Sequence, residues 1–114
     1  MERIQADGYA LLAVQGEIDI ATSPRLIAAL NDAVTDTTGA VLVDLSAVEF
    51  MDSTGLALLI RAQRRMSRRG RGFAVVCPDG PVRRIFELTD MVEALRVRPS
   101  REAAVSAAGD GLPG

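Results

Sequence analysis

No lysine, histidine or tryptophan occurs in this 114-residue chain, and all thirteen of its basic residues are arginine. Without histidine, a Ser-His-Asp triad, a Cys-His pair and the usual imidazole zinc site are excluded. Without lysine there is no P-loop lysine, no Schiff base and no lysine to hold a phosphoryl group. The one cysteine, Cys77, excludes an internal disulfide and a CxxC redox pair. No run of about 18 apolar residues marks a membrane span, and the opening MERIQADGYA lacks a signal peptide's apolar region. The chain is therefore expected to stay in a reducing cytoplasm, away from the membrane. A net charge of −2 gives no support to a nucleic-acid or polybasic membrane role. No metal or cofactor is expected.

Hydrophobic and charged residues stand in ordinary globular proportion, and the length suits one domain with a single core. Residues 2–6 and 9–15 read as two strands around Asp7-Gly8, a dipeptide that favours a tight hairpin. Residues 16–19 end the second strand. Thr22 or Ser23 can cap a helix with Pro24 in its first turn, and Leu26, Ile27, Leu30 and Val34 carry it to about residue 37. The apolar run AVLVDL at 40–45 suits a strand covered on both faces. A loop, 46–52, leads to a second helix over 53–69. Beyond Gly70 and Gly72 come a strand at 73–77, a helix at 82–89, a strand at 94–97 and a helix at 101–108. The order ββαβαβαβα predicts an α/β fold: a mostly parallel five-stranded sheet with an N-terminal hairpin and helices mainly on one face. Residues 1–108 form the expected domain and 109–114 a flexible tail.

The second helix is the most informative stretch. Its spacing places Leu56, Leu59, Ile60, Gln63 and Met66 towards the sheet, with Arg61, Arg64, Arg65 and Arg68 opposite. An arginine face is ordinarily a solvated one, and cations suit a helix C-terminus. Leu58 points with Arg61 and Arg65, outwards, and so hints at a contact surface. Asp52, Ser53 and Thr54 occupy the N-cap region, where a hydroxyl is expected to accept from a free first-turn N–H. Gly55 weakens the helix it starts, and its missing side chain would let another protein approach closely. Phe50-Met51 places two large apolar residues in a loop at the carboxyl end of a strand, where open α/β sheets tend to carry function.

Two blocks, GEIDIATSPRL at 16–26 and VLVDLSAVEFMDSTGLALLI at 41–60, are similar to the small bacterial anti-sigma factor antagonists of the STAS family. A third, VVCPDGPVRRIFELTDM at 75–91, extends the resemblance over nearly the whole chain. The resemblance implies a STAS domain whose unphosphorylated form binds an anti-sigma factor, itself a serine kinase, and so frees a sigma factor. It implies phosphorylation at Ser53, resetting by a separate phosphatase, and a place for Asp19 beside that serine in partner recognition. The expected partner surface comprises Asp19, Asp52, Ser53, Thr54, Gly55, Leu58 and Arg61, on a chain that is monomeric when free. A phosphate would add about −1.5 to −2 charges at a helix start. Free N–H groups and the helix dipole should accommodate it, so the fold should survive. Losing about 3–4 kcal/mol at the partner surface would weaken binding several-hundredfold.

Other readings are narrower. The same fold could serve a stress-signalling assembly, or act as a soluble accessory of a membrane transporter. A two-component receiver needs a lysine that is absent. A Ser53 nucleophile has no histidine or lysine to act as its base, so an enzyme is not expected. Gly70-Arg71-Gly72 does not make a GxGxxG nucleotide loop. Cys77 reads as a buried structural thiol, Glu17 as a loop carboxylate and Asp44 as a strand-end residue.

Overall fold

The hairpin expected from Asp7-Gly8 joins β1 (Glu2–Ala6) to β2 (Tyr9–Ile18), with Gly8 at a φ of 85° that a side chain would disfavour. The computed structural model describes residues 1–110. Along the chain follow α1 (Ser23–Asp36), β3 (Ala40–Met51), α2 (Ser53–Arg68), β4 (Phe73–Val76), α3 (Pro81–Leu88), β5 (Val97–Arg98) and α4 (Arg101–Asp110). The strands lie in sequence order, β1-β2-β3-β4-β5. The first pair is antiparallel and the others are parallel. α4 continues two residues past the boundary expected for the domain, and the rest of the expected tail, 111–114, lies outside the described residues.

The buried run of β3 explains both layers. Val41, Val43 and Leu45 face a core shared with Leu26, Leu30 and Val34 of α1, Leu59 and Met66 of α2, and Phe86 of α3. Leu42 points the other way and joins Leu11, Ala74 and Val76 beneath Ala104 and Ala108 of α4. This is period-two alternation with both faces covered. Three helices thus share one face and α4 alone covers the other.

Asp44 is more than a strand-end residue. It is 5% exposed within β3, and its Oδ2 accepts from Arg101 Nε of α4 at 2.7 Å. Its other oxygen accepts from the Ser46 hydroxyl at 2.6 Å and the Ser46 N–H at 2.8 Å. Burial pushes this carboxyl upward, but the two Ser46 hydrogen bonds and Arg101 outweigh it and leave the pKa below the ordinary value. Cys77 is buried, and desolvation raises its thiol to about 11, consistent with an inert structural residue.

Several expected boundaries change. β2 and β3 continue to Ile18 and Met51, so residues 46–51 are strand rather than loop. Gly16 does not end its strand, because register shifts on either side of it let the pairing resume, with Glu17 opposite Phe50 and Ile18 opposite Met51. The fifth strand begins only at Val97; residues 92–96 form turns, and Arg96 takes a positive φ of 49° that a strand does not allow.

Candidate functional site

The extended β2–β3 pair ends at one edge of the sheet, where two aspartates each organise the chain that follows. Asp52 donates its N–H to the Ile18 carbonyl at 3.2 Å, which fixes the start of α2 to the end of β2. In extended conformation, its Oδ1 accepts from Thr54 N–H at 2.9 Å and, more weakly, from Gly55 N–H at 3.4 Å. Asp52 is therefore the N-cap. Neither Ser53 nor Thr54 takes that role, so the expected hydroxyl cap is replaced by a carboxylate. Ser53 becomes the first helical residue, exposed, and its hydroxyl has no intramolecular partner among the described residues.

Asp19 lies one residue beyond Ile18, next to that same junction. Its Oδ1 accepts from the N–H groups of Ala21 and Thr22, both at 3.0 Å, and closes the turn into α1. Thr22 and Ser23 do not cap α1 with their hydroxyls. Thr22 Oγ1 instead donates back to the Glu17 carbonyl at 2.9 Å, and Ser23 Oγ donates to the Ile20 carbonyl at 3.1 Å. The structure thus brings Asp19, Asp52, Ser53 and Thr54 to one edge. Arg61 is exposed on the same helix, about 12 Å further along at 1.5 Å per residue.

Two expected contact residues belong elsewhere. Gly55 is buried, and a Cβ there would lie 2.6 Å from Met51 Cγ and 2.7 Å from Ile18 Cγ2. The glycine lets the helix start sit against the strand ends; it does not open a path for a partner. Leu58 is only 7% exposed and packs in the core, not on an outer surface. The reason is that α2 packs against α1 as well as the sheet, so its buried stripe takes in Leu58 and Ala62 together with Leu59 and Met66.

Two large apolar residues stand out at this edge, one of them, Phe50, already noted in the sequence and the other, Ile20, not. Ile20, in the turn after Asp19, is 77% exposed, and Phe50, two residues before Asp52, is 50% exposed. Of the Phe50-Met51 pair only Met51 turns inward, and simple alternation does not tell the two apart, because the burial of β3 loses period two after Leu45. Ile20 lies in a turn and leaves no periodic signal. Large apolar side chains around a polar, hydrogen-bonded helix start suit binding to another protein.

Fold and site together define a small α/β module that presents a capped helix start, with a free hydroxyl, at the carboxyl edge of its sheet. The STAS domain model matches residues 1–104. The anti-sigma-F factor antagonist RsfB of Mycobacterium tuberculosis is 34% identical over 91 residues, 80% of this chain and 74% of that protein. The anti-sigma-B factor antagonist of Staphylococcus aureus is 28% identical over 102 residues, 90% of this chain and 94% of its own. The crystal structure of an anti-sigma factor antagonist from Mycobacterium paratuberculosis superposes with a TM-score of 0.87 at 34% identity, covering 96% of this chain and 92% of that one. The chain belongs to the STAS domain family.

Proposed function

We propose that this STAS domain is an anti-sigma factor antagonist, and that its binding is switched off by phosphorylation of Ser53. In this reading the unphosphorylated form binds an anti-sigma factor that is also a serine kinase, and a sigma factor is released. The Ser53 hydroxyl attacks the γ-phosphorus of ATP on that kinase; the bond to ADP breaks and the hydroxyl proton passes to a kinase base. A separate phosphatase hydrolyses the ester and restores the active form. The antagonist is itself no enzyme and acts in the cytoplasm as a monomer. The names of its relatives support the antagonist role.

The observation that carries the switch is the division of labour between Asp52 and Ser53. Asp52 holds the first-turn N–H groups, so modifying Ser53 breaks no intramolecular hydrogen bond among the described residues. The same arrangement revises how a phosphate would be received. Thr54 and Gly55 N–H already point to a carboxylate, so the phosphate gains from the helix dipole but meets Asp52, with Asp19 close by. The added charge is then felt most at the surface offered to a partner. Asp19, Asp52, Ser53, Thr54 and Arg61 would supply the polar contacts, and Ile20 and Phe50 the apolar ones, while Gly55 and Leu58 support the helix from beneath.

The test is to capture the partner on the immobilised chain, supply radiolabelled ATP and locate the label. Incorporation at Ser53, absent from Ser53→Ala, supports the switch; a captured anti-sigma factor that leaves Ser53 unlabelled refutes it.

A further inference from the structure

Between α1 and α2 lies a groove of about 340 Å³. Its floor is apolar, built from Leu30 and Val34 of α1 and Leu58 and Ala62 of α2, with Ile27 standing 40% exposed at its mouth. One wall carries Arg61, Arg65 and Arg68. These recur at i, i+4 and i+7, which aligns them along about 10 Å, or two helical turns. Among the described residues no carboxylate lines the groove; Asn31 is the polar group opposite, accepting from Arg65 at 2.6 Å.

The charge there is unusual for this molecule. Ion pairs among the described residues use Arg3, Arg83, Arg98 and Arg101. None uses the four arginines of α2 or Arg69 at its C-cap. Like charges accumulate instead. The Arg71 guanidinium, which donates to the Val34 and Gly39 carbonyls and to Thr37, is lowered from its ordinary pKa by burial and further by Arg69 and Arg65. In a chain of net charge −2, this is a local excess of positive charge beside an apolar slot.

We propose that the α1–α2 groove receives an acidic amphipathic helix of the partner protein, apolar side down. Two parallel helices leave a channel that a third helix fills well, and carboxylates at i, i+4 and i+7 of the incoming segment would meet the arginine row in register. Arg–carboxylate pairs there would be charge-assisted. The inference deepens the antagonist reading, on which it rests only for the identity of the partner. Arg65 and Arg68 lie beyond the Ser53 edge, so this contact does not itself depend on the state of the serine, and the affinity lost on phosphorylation is lost at the Ser53 edge.

The test uses a fluorescein-labelled 14-residue peptide with leucine along one helical side and glutamate along its flanks, and anisotropy as readout. A shuffled peptide of equal composition and vesicles of phosphatidylglycerol serve as comparisons. The wild-type chain should bind the amphipathic peptide at least tenfold tighter than the shuffled one. Arg65→Glu/Arg68→Glu should lose at least tenfold while keeping its thermal melt, and Ser53→Asp should bind as wild type does. Equal binding of the two peptides, an unaffected arginine variant, or binding to vesicles alone would overturn the proposal. Self-association in sedimentation that arginine reversal abolishes, without peptide binding, would also overturn it by making a second copy the occupant. Loss of peptide binding with Ser53 still labelled by the kinase removes only the groove. Peptide binding without labelling removes only the switch.

Discussion

Replacing Asp52 and Ser53 separately with alanine should give unequal outcomes, a loss of stability at the first and none at the second, although the two residues are neighbours. Asp52→Ala removes the acceptor for Thr54 N–H at 2.9 Å and for the more distant Gly55 N–H at 3.4 Å. Loss of such a cap destabilises by about 0.5–2 kcal/mol, and with one well-formed bond involved the central expectation is about 1 kcal/mol. For a domain slightly above 100 residues that is roughly 4 °C in Tm. Ser53→Ala removes an exposed hydroxyl with no intramolecular partner among the described residues, so stability should remain within about 0.5 kcal/mol. Urea unfolding followed by circular dichroism measures both, with unchanged m-values as the sign that only stability has moved. A loss at Ser53 as large as that at Asp52 would refute the assignment of the cap, and with it the view that the hydroxyl is spare.

Gly55→Ala should destabilise by about 1–3 kcal/mol through overpacking against Met51 and Ile18, even though alanine is the better helix former; a raised Tm would show that the contact relaxes freely. Leu58→Ala should lower stability by about 2–5 kcal/mol as a core truncation, whereas Arg61→Glu should stay within about 0.5 kcal/mol and change partner binding alone; denaturant titrations separate the two. Asp44, with a folded pKa below its ordinary value, contributes stability that is complete above the unfolded pKa of about 3.9 and is lost as pH falls through the lower folded value. Arg101→Ala should move that loss to higher pH and cost roughly 1–3 kcal/mol at neutral pH, towards the low end because Arg101 is half exposed; an unchanged acid-unfolding curve would count against the pair.

The elements legible in the sequence were those with one dominant environment. The apolar run 40–45 within β3, the Pro24-led helix α1 and the position of Ser53 at a helix start are all present, although β3 runs on to Met51 and Ile27 stays exposed. Elsewhere two environments competed. Leu58 was placed outward because a single buried stripe describes α2 only when the sheet is its sole neighbour; α1 provides a second. Gly16 read as a strand end because a lone glycine does not distinguish a stop from an irregularity in register, which depends on the partner strand. Asp52, Ser53 and Thr54 offered three adjacent oxygens for one cap, and only the backbone direction at Asp52 decides between them. Gly55 showed its role only through its close approach to Met51 and to Ile18, the latter 37 residues away in sequence. Arg101 and Asp44 are likewise joined across 57 residues, beyond the reach of any local pattern.

The central claim is that charge at Ser53, and not a change of fold, sets the affinity for the anti-sigma factor. Isothermal titration of that partner into the wild-type chain, Ser53→Ala, Ser53→Asp and the Ser53-phosphorylated form tests it most directly. Ser53→Ala should bind within about twofold of wild type and Ser53→Asp at least tenfold more weakly, about 1.4 kcal/mol. The phosphorylated form should lose several-hundredfold, about 3–4 kcal/mol, with all four proteins sharing one circular dichroism spectrum. Phosphorylated protein that binds as tightly as wild type, or that loses binding only because it has unfolded, would contradict the account.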